Sequence, residues 1–198
     1  MDNFETKRFY VIGNNLALDF VNSVMFDITD ESLAAWALAV GLIETENAGK
    51  LLKAWRNENL SEIVEFRDKL RATVDRLSET GEIGQTNINL INGVLKQGGR
   101  FVELSKSADG FTKRLDIDLT DAKKILVPIA ESFVDLLCYG NLEYLRKCEN
   151  PQCILYFYDT TKNHRRRWCS MAACGNRAKA SKFYHRKKGE TATRNNTR

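Results

Sequence analysis

The sequence predicts a mainly α N-terminal domain carrying one small β-hairpin, an α+β arrangement, followed by a small cysteine-rich module. Three observations carry this reading. Apolar residues recur every three or four positions through most of residues 29–145, alternation with a period of two is confined to residues 101–117, and four of the five cysteines fall within a basic last quarter. A chain of 198 residues with 43% hydrophobic and 28% charged residues and only 2 prolines is a folded chain of one domain, or one domain plus a module. Disordered, collagenous and low-complexity classes are excluded.

The first helix is signalled by Thr29 and Asp30, whose side chains can accept the free backbone N–H groups of a helix start. Behind them Leu33, Trp36, Ala37 and Val40 share one face, which should be core. A second helix is expected over Ala48 to Trp55. A stronger one spans Ser61 to Leu77, where Ile63, Phe66, Leu70, Val74 and Leu77 hold the spacing and the other faces are charged. Residues 86–97 give a weaker helix around Ile88, Ile91 and Leu95, closed by Gly98 and Gly99. Val102 and Leu104, then Leu115 and Ile117, alternate with polar residues about an Asp109-Gly110 turn, which is a hairpin signal. The last long helix is expected from Thr120 to about Leu145. Ile125, Ile129, Phe133 and Leu136 line one face and Val127, Val134 and Cys138 another, so it should be central and Cys138 a core residue. Pro128 requires either a kink or a helix start a few residues before it.

Charge divides the chain near Tyr144. The net +4 conceals 16 basic and 23 acidic residues before Arg146, against 14 basic and three acidic residues in the 53 that follow. A segment of net +11 is suited to a polyanion, most simply nucleic acid. The first fifteen residues hold Asp2, Glu5, Lys7 and Arg8 and no apolar run of the kind a secretory signal needs. The longest charge-free run, Ile83 to Leu95, is far short of the roughly 20 apolar residues of a membrane span. A cytoplasmic protein is expected, with reduced thiols and metal binding in place of disulfides.

Within the basic segment the cysteines form two like pairs, Cys148-x4-Cys153 and Cys169-x4-Cys174, fifteen residues apart. Each pair can reach round one side of an ion, so four thiolates close a tetrahedron at about 2.3 Å from one structural Zn2+, leaving no position for a catalytic water. His164, in the turn TKNHRRR, is expected at the surface or near a phosphate; ligation by it or by His185 is the less favoured alternative. The run ILYFYD, followed by Arg165, Arg166, Arg167 and Trp168, suggests a hairpin tethered between the cysteine pairs, and residues 176–188 a basic helix. A knuckle, a hairpin and a helix carrying the last ligands make a treble-clef-like finger over residues 145–198, behind a mostly helical domain over residues 1–144. Arg165, Arg166, Arg167, Arg177, Lys179, Lys182 and Arg186 are candidate contacts to phosphate or guanine. Asn176 is placed either to read adenine or to cap the helix. Trp168, Tyr156 and Tyr158 serve as core of the small module or as stacking platforms for unpaired bases, the former being favoured.

The stretch from Cys148 to Lys187 resembles the CGNR zinc finger, on both cysteine pairs, Phe157, Asp159, the RRRWCSM segment Arg165 to Met171, Lys179 and the tetrapeptide Cys174-Gly175-Asn176-Arg177. Residues 14–24, NNLALDFVNSV, with the following ESLAAWALAVGLI, resemble the ABATE domain. The resemblance implies a stress-responsive bacterial transcription regulator whose finger binds DNA, with a helical domain that senses or regulates through an effector; RNA binding is the implied alternative. Asp19 and Asn22 in LDFVN are expected to serve capping and internal hydrogen bonding, with a pocket lining as the lesser alternative.

The leading expectation is therefore a zinc-dependent regulator contacting duplex DNA, with RNA binding or a protein-docking finger as alternatives. The sequence has no HExxH, GxSxG, phosphate-cradling glycine loop or dinucleotide fingerprint, so catalysis is not expected. A homodimer would suit two half-sites, though no heptad pattern supports one.

Overall fold

The computed structural model of the protein describes residues 9, 11–98, 101–107, 110–116 and 119–184, with backbone alone over 101–116. Helix α1 (Leu16–Val21) is short and almost entirely buried, with Asn15 as its N-cap accepting from the Leu18 N–H. Asn15 also donates to the Ser132 carbonyl at 3.1 Å, fixing α1 to the last long helix of the domain. Helix α2 (Asp30–Ala39) begins at Thr29 in a capping box with Ser32, so the expected start signal operates. Helix α3 (Thr45–Trp55) ends in Trp55, which is fully buried and donates its indole N–H to the Leu119 carbonyl at 2.7 Å.

Helix α4 (Ser61–Thr80) buries Ile63, Phe66, Leu70, Val74 and Leu77, the stripe read from the sequence. It runs a turn past Leu77 and stops at Gly81, whose φ of 72° lets the chain turn left-handed without a Cβ clash. Helix α5 (Gln85–Leu95) follows, then the antiparallel strands β1 (Phe101–Ser107) and β2 (Gly110–Asp116), with Val102 opposite Leu115. Gly99, Asp109 and Ile117 lie outside the described residues.

The long helix expected from Thr120 to Leu145 is shorter and divided. A 3-10 turn at Ala122–Ile125 leads into α6 (Leu126–Tyr139), so Pro128 falls in the first turn, where its missing N–H has no helical acceptor to lose. Helix α6 buries Leu126, Val127, Ile129, Ala130, Phe133 and Leu136 against α1 and α5. Cys138 is a correction: it lies on the exposed side of the last turn, next to Tyr139, because the apolar face closes at Leu136. The main core joins Phe20, Trp36 and Phe66, with ring centroids 5.4 and 6.5 Å from Phe20, to Trp55, Leu70, Ile129 and Phe133.

Two strands then form a second small sheet, β3 (Leu145–Lys147) and β4 (Tyr156–Tyr158), paired antiparallel with Arg146 opposite Phe157. The final helix, α7 (171–184), opens with a π turn at Met171–Gly175 and continues as an α-helix over 176–184. Among the described residues no helix is long and apolar enough to cross a membrane.

Candidate metal centre and nucleic-acid interface

Strands β3 and β4 are the arms of the first knuckle. Cys148 leaves β3, donates its N–H to the Leu155 carbonyl at 2.9 Å, and the chain returns through a tight turn in which Cys153 N–H meets the Asn150 carbonyl at 2.8 Å. Asn150 shapes that turn by accepting from the Gln152 N–H at 3.1 Å, and its amide nitrogen donates to Cys174 Sγ at 3.3 Å. The second pair comes from the chain entering α7: Cys169 just before the helix, with its N–H 3.3 Å from Cys148 Sγ, and Cys174 within the opening π turn.

The four sulfurs lie within 4.8 Å of one another, and Cys153 Sγ is 3.7 Å from Cys169 Sγ. A tetrahedron with metal–sulfur bonds of about 2.3 Å has edges of about 3.8 Å. The donor set therefore fits zinc, and these four cysteines form one structural zinc site. Burial pushes the Cys153 thiol up to about 11 and raises Cys169 as well. Burial acts in the same direction on Cys174, but the Asn150 amide and the neighbouring sulfurs outweigh it and hold that thiol below its ordinary value. Four thiolates in one buried cluster require a cation, and a closed four-sulfur shell leaves the ion a folding role without a water to activate.

Leu155, Phe157, Ile12 and Trp168 pack round the sulfurs. Gly175 is buried beneath Met171 and Trp168; a Cβ there would stand 2.7 Å from Met171 Sδ and 3.1 Å from Trp168 Cδ1. Beyond β4, Asp159 is fully buried and organises the turn that follows, accepting from Thr161 N–H at 3.0 Å, Thr161 hydroxyl at 2.6 Å and Arg166 N–H at 2.7 Å. Burial alone would raise its carboxyl; these donors and the nearby Arg146 more than offset that and hold it below the usual value.

Several sequence expectations change here. The hairpin was expected between the cysteine pairs; β4 instead pairs with β3, upstream of Cys148, while the returning segment is held by Glu149 N–H to the Arg167 carbonyl at 3.0 Å. His164 is not free at the surface: at φ 46° its ring stacks on Tyr144 with centroids 3.7 Å apart and planes at 5°, and its Nδ1 lies 3.0 Å from the Asp159 carbonyl. Asn176 is not the helix N-cap, since the helix starts at Met171 after Ser170; it is exposed, with its amide nitrogen 3.3 Å from the Ala172 carbonyl. Tyr156 is fully buried, and Tyr158 and Trp168 are half-buried, which favours the core reading over base stacking.

The arginine run separates. Arg166 turns inward, over the Phe157 ring at 4.1 Å, donating to the carbonyls of Ile12 at 3.0 Å, Trp168 at 3.1 Å and Cys169 at 2.5 Å. Arg166 is half-buried, and its guanidinium is engaged within the finger. Arg167 is exposed but paired with Glu149 at 2.6 Å and laid over Trp168 at 4.9 Å. Arg165, Arg177, Lys179 and Lys182 are exposed, and so is Lys162 in the same turn as His164, a cation the sequence reading passed over. Arg186 and His185 lie outside the described residues.

A family model for the CGNR zinc finger matches residues 144–187. A second, ABATE, described as "Putative stress-induced transcription regulator", matches residues 14–140. The chain belongs to the ABATE family. The ABATE match covers α1 to α6 and the CGNR match covers β3 to α7, including all four sulfur ligands. The two descriptions name a "putative" regulator and a zinc finger. A comparison with curated proteins finds no match. Asp19 and Asn22, in the ABATE part, turn out to bond internally: Asp19 Oδ1 accepts from Ile12 and Gly13 N–H at 2.8 and 2.7 Å, and Asn22 pairs with the Tyr156 backbone. Burial raises the Asp19 carboxyl above its ordinary value.

Proposed function

We propose that this ABATE protein is a zinc-dependent transcription regulator of the bacterial cytoplasm that binds duplex DNA through its CGNR finger. The observation that carries the reading is the set of exposed cations grouped on the finger, Lys162 and Arg165 in the turn and Arg177, Lys179 and Lys182 on α7, in a segment of net +11. When bound, the ion supplies the closure that holds α7 against the knuckle. The chain's own groups do the rest: Arg166 and Asp159 shape the turn that presents Arg165, and the exposed side of α7 offers guanidinium and ammonium donors to phosphate, with Asn176 among them as an amide able to reach a base edge. Residues 1–144 act as the regulatory part and residues 145–198 as the contact part. No catalytic step is assigned.

The test is binding of the zinc-loaded full chain to duplex DNA and to single-stranded RNA across a salt series. Wild type is expected to bind the duplex more tightly, with affinity falling steeply as salt rises. R177E with K179E should weaken binding and lower the salt slope by about one unit or more. Tighter binding to the RNA would move the reading to RNA, and equal binding by wild type and the double variant would remove α7 from the interface.

A further inference from the structure

We infer that the zinc module and the helical domain are one thermodynamic unit, clasped along β4 by Asn22, the segment 11–14 and two side chains of α4, so that zinc occupancy and the folding of the helical domain are reciprocally coupled. The inference rests on the zinc site and not on nucleic-acid binding.

Strand β4 has β3 on one edge; its other edge is closed by residues from the opposite end of the chain. The Tyr156 N–H donates to Asn22 Oδ1 at 2.9 Å, and Asn22 Nδ2 donates to the Tyr156 carbonyl at 2.8 Å, so one side-chain amide replaces a neighbouring strand. Two residues on, the Tyr158 N–H donates to the Gly13 carbonyl at 2.7 Å, and Asn14, held at φ 56°, donates to the Tyr158 carbonyl at 3.0 Å and to Thr160 at 3.1 Å. The Tyr156 backbone groups are buried and would be left unpaired if Asn22 were lost, whereas the Asn14 bonds lie at the exposed end of the clasp.

The side chains of the same strand serve two cores. Tyr156 is fully buried and belongs to the cluster of α1, α4 and α6, whereas its neighbours Leu155 and Phe157 point to the opposite face and belong to the sulfur cluster. Ile12, from before α1, packs on that sulfur cluster while its carbonyl accepts from Arg166 at 3.0 Å. On α4, Asp75 accepts the Tyr156 hydroxyl and stands 3.6 Å from Lys147 Nζ. Arg71 lies over the Tyr156 ring at 5.3 Å and bridges the carbonyls of Val21 at 3.0 Å and Ile154 at 2.6 Å. Cys153 is three residues before Tyr156, and the Cys148 N–H is tied to Leu155, so the position of β4 is set jointly by the ligands and by the helical domain. Whatever displaces Asn22 or α4 displaces the ligands, and a coupling between two binding or folding events runs equally in both directions.

The experiment uses the full chain. Amide hydrogen exchange of the wild type, zinc-loaded and after chelation, should show exchange at least about tenfold faster in α1 and α4 on zinc removal, as well as in residues 144–174. Zinc affinity, read by competition with a chromophoric chelator, should fall by about tenfold in Asn22→Ala, inside the range usual for coupled sites, and at least as far in Asn22→Asp, whose second carboxylate oxygen would face the buried Tyr156 carbonyl where the amide now donates. Exchange changes confined to residues 144–184, or equal zinc affinity in wild type and both folded variants, would overturn the inference.

Discussion

Replacing Arg166 by alanine separates a scaffold role from a contact role. The guanidinium donates to three carbonyls, of Ile12, Trp168 and Cys169, at 3.0, 3.1 and 2.5 Å, and covers the Phe157 ring. Burial lowers its affinity for a proton, while Asp159 and the nearby sulfurs act in the opposite direction, so the cation sits in a partly desolvated place among acceptors and anionic groups. A hydrogen bond from a charged donor contributes about 1.5–3 kcal/mol, and three that share one half-buried group do not add fully, so a total loss of about 3 kcal/mol is expected. For a chain of this size that corresponds to a fall in Tm of about 10 °C. The assay is calorimetry of zinc-loaded Arg166→Ala, followed by duplex binding at a temperature where both proteins are folded. Binding per folded molecule should stay near wild type, and its salt slope should not change. A Tm within about 2 °C of wild type together with a salt slope lowered by about one would refute the scaffold assignment and return Arg166 to the interface.

Asp159→Asn should lower stability by about 2 kcal/mol, because an amide oxygen cannot satisfy all the donors of Thr161 and Arg166 that the buried carboxylate now accepts. Its folded-state pKa is depressed, so the carboxylate's stabilisation is present above the ordinary value of 3.8 and is lost only as pH falls through the lower folded value. Urea titrations should thus give a constant difference from pH 5 to 8, and a difference that drifts in that window contradicts the assignment. Gly175→Ala should cost about 1–2 kcal/mol, since its methyl meets Met171 Sδ at 2.7 Å; Met171 is half exposed and can yield, so adding Met171→Ala should recover much of the loss in thermal scans. Elemental analysis should find one zinc per chain in Cys138→Ser, whose thiol lies apart from the four-sulfur cluster, and less than one in Cys153→Ser, with unchanged content in the latter counting against the site.

What the sequence made legible is what local periodicity encodes. The stripes of α2 and α4, the alternating hairpin and the two cysteine pairs each depend on residues a few positions apart, and all appear where their spacing places them. Zinc ligation was legible because few other arrangements make use of four thiols at that spacing. The partner of β4 was not, because ILYFYD is equally able to pair forward with the arginine run or backward with Leu145–Lys147, and the choice falls to the short return through the knuckle. The Asn22–Tyr156 pair spans 134 positions and has no local signature at all. LDFVN showed only that two polar residues sit in an apolar stretch, which indicates buried bonding without naming the partner.

The arginine run illustrates how a charge count can still misplace a side chain. Counting treats Arg165, Arg166 and Arg167 alike, but Arg165 and Arg167 are exposed while Arg166, Trp168 and Cys169 are drawn in. Strict alternation from an inward Cys169 would turn Arg165 and Arg167 in; Arg166 is drawn in instead by its own bonds, its N–H to Asp159 and its guanidinium to the carbonyls of Ile12, Trp168 and Cys169. With Arg166 so held, the exposed cations of the run are Arg165 and Arg167, beside Lys162 in the turn and Arg177, Lys179 and Lys182 on α7. The positive charge of the module is thus legible in composition, whereas which arginine faces out depends on the bonds that Arg166 makes to residues distant in the chain.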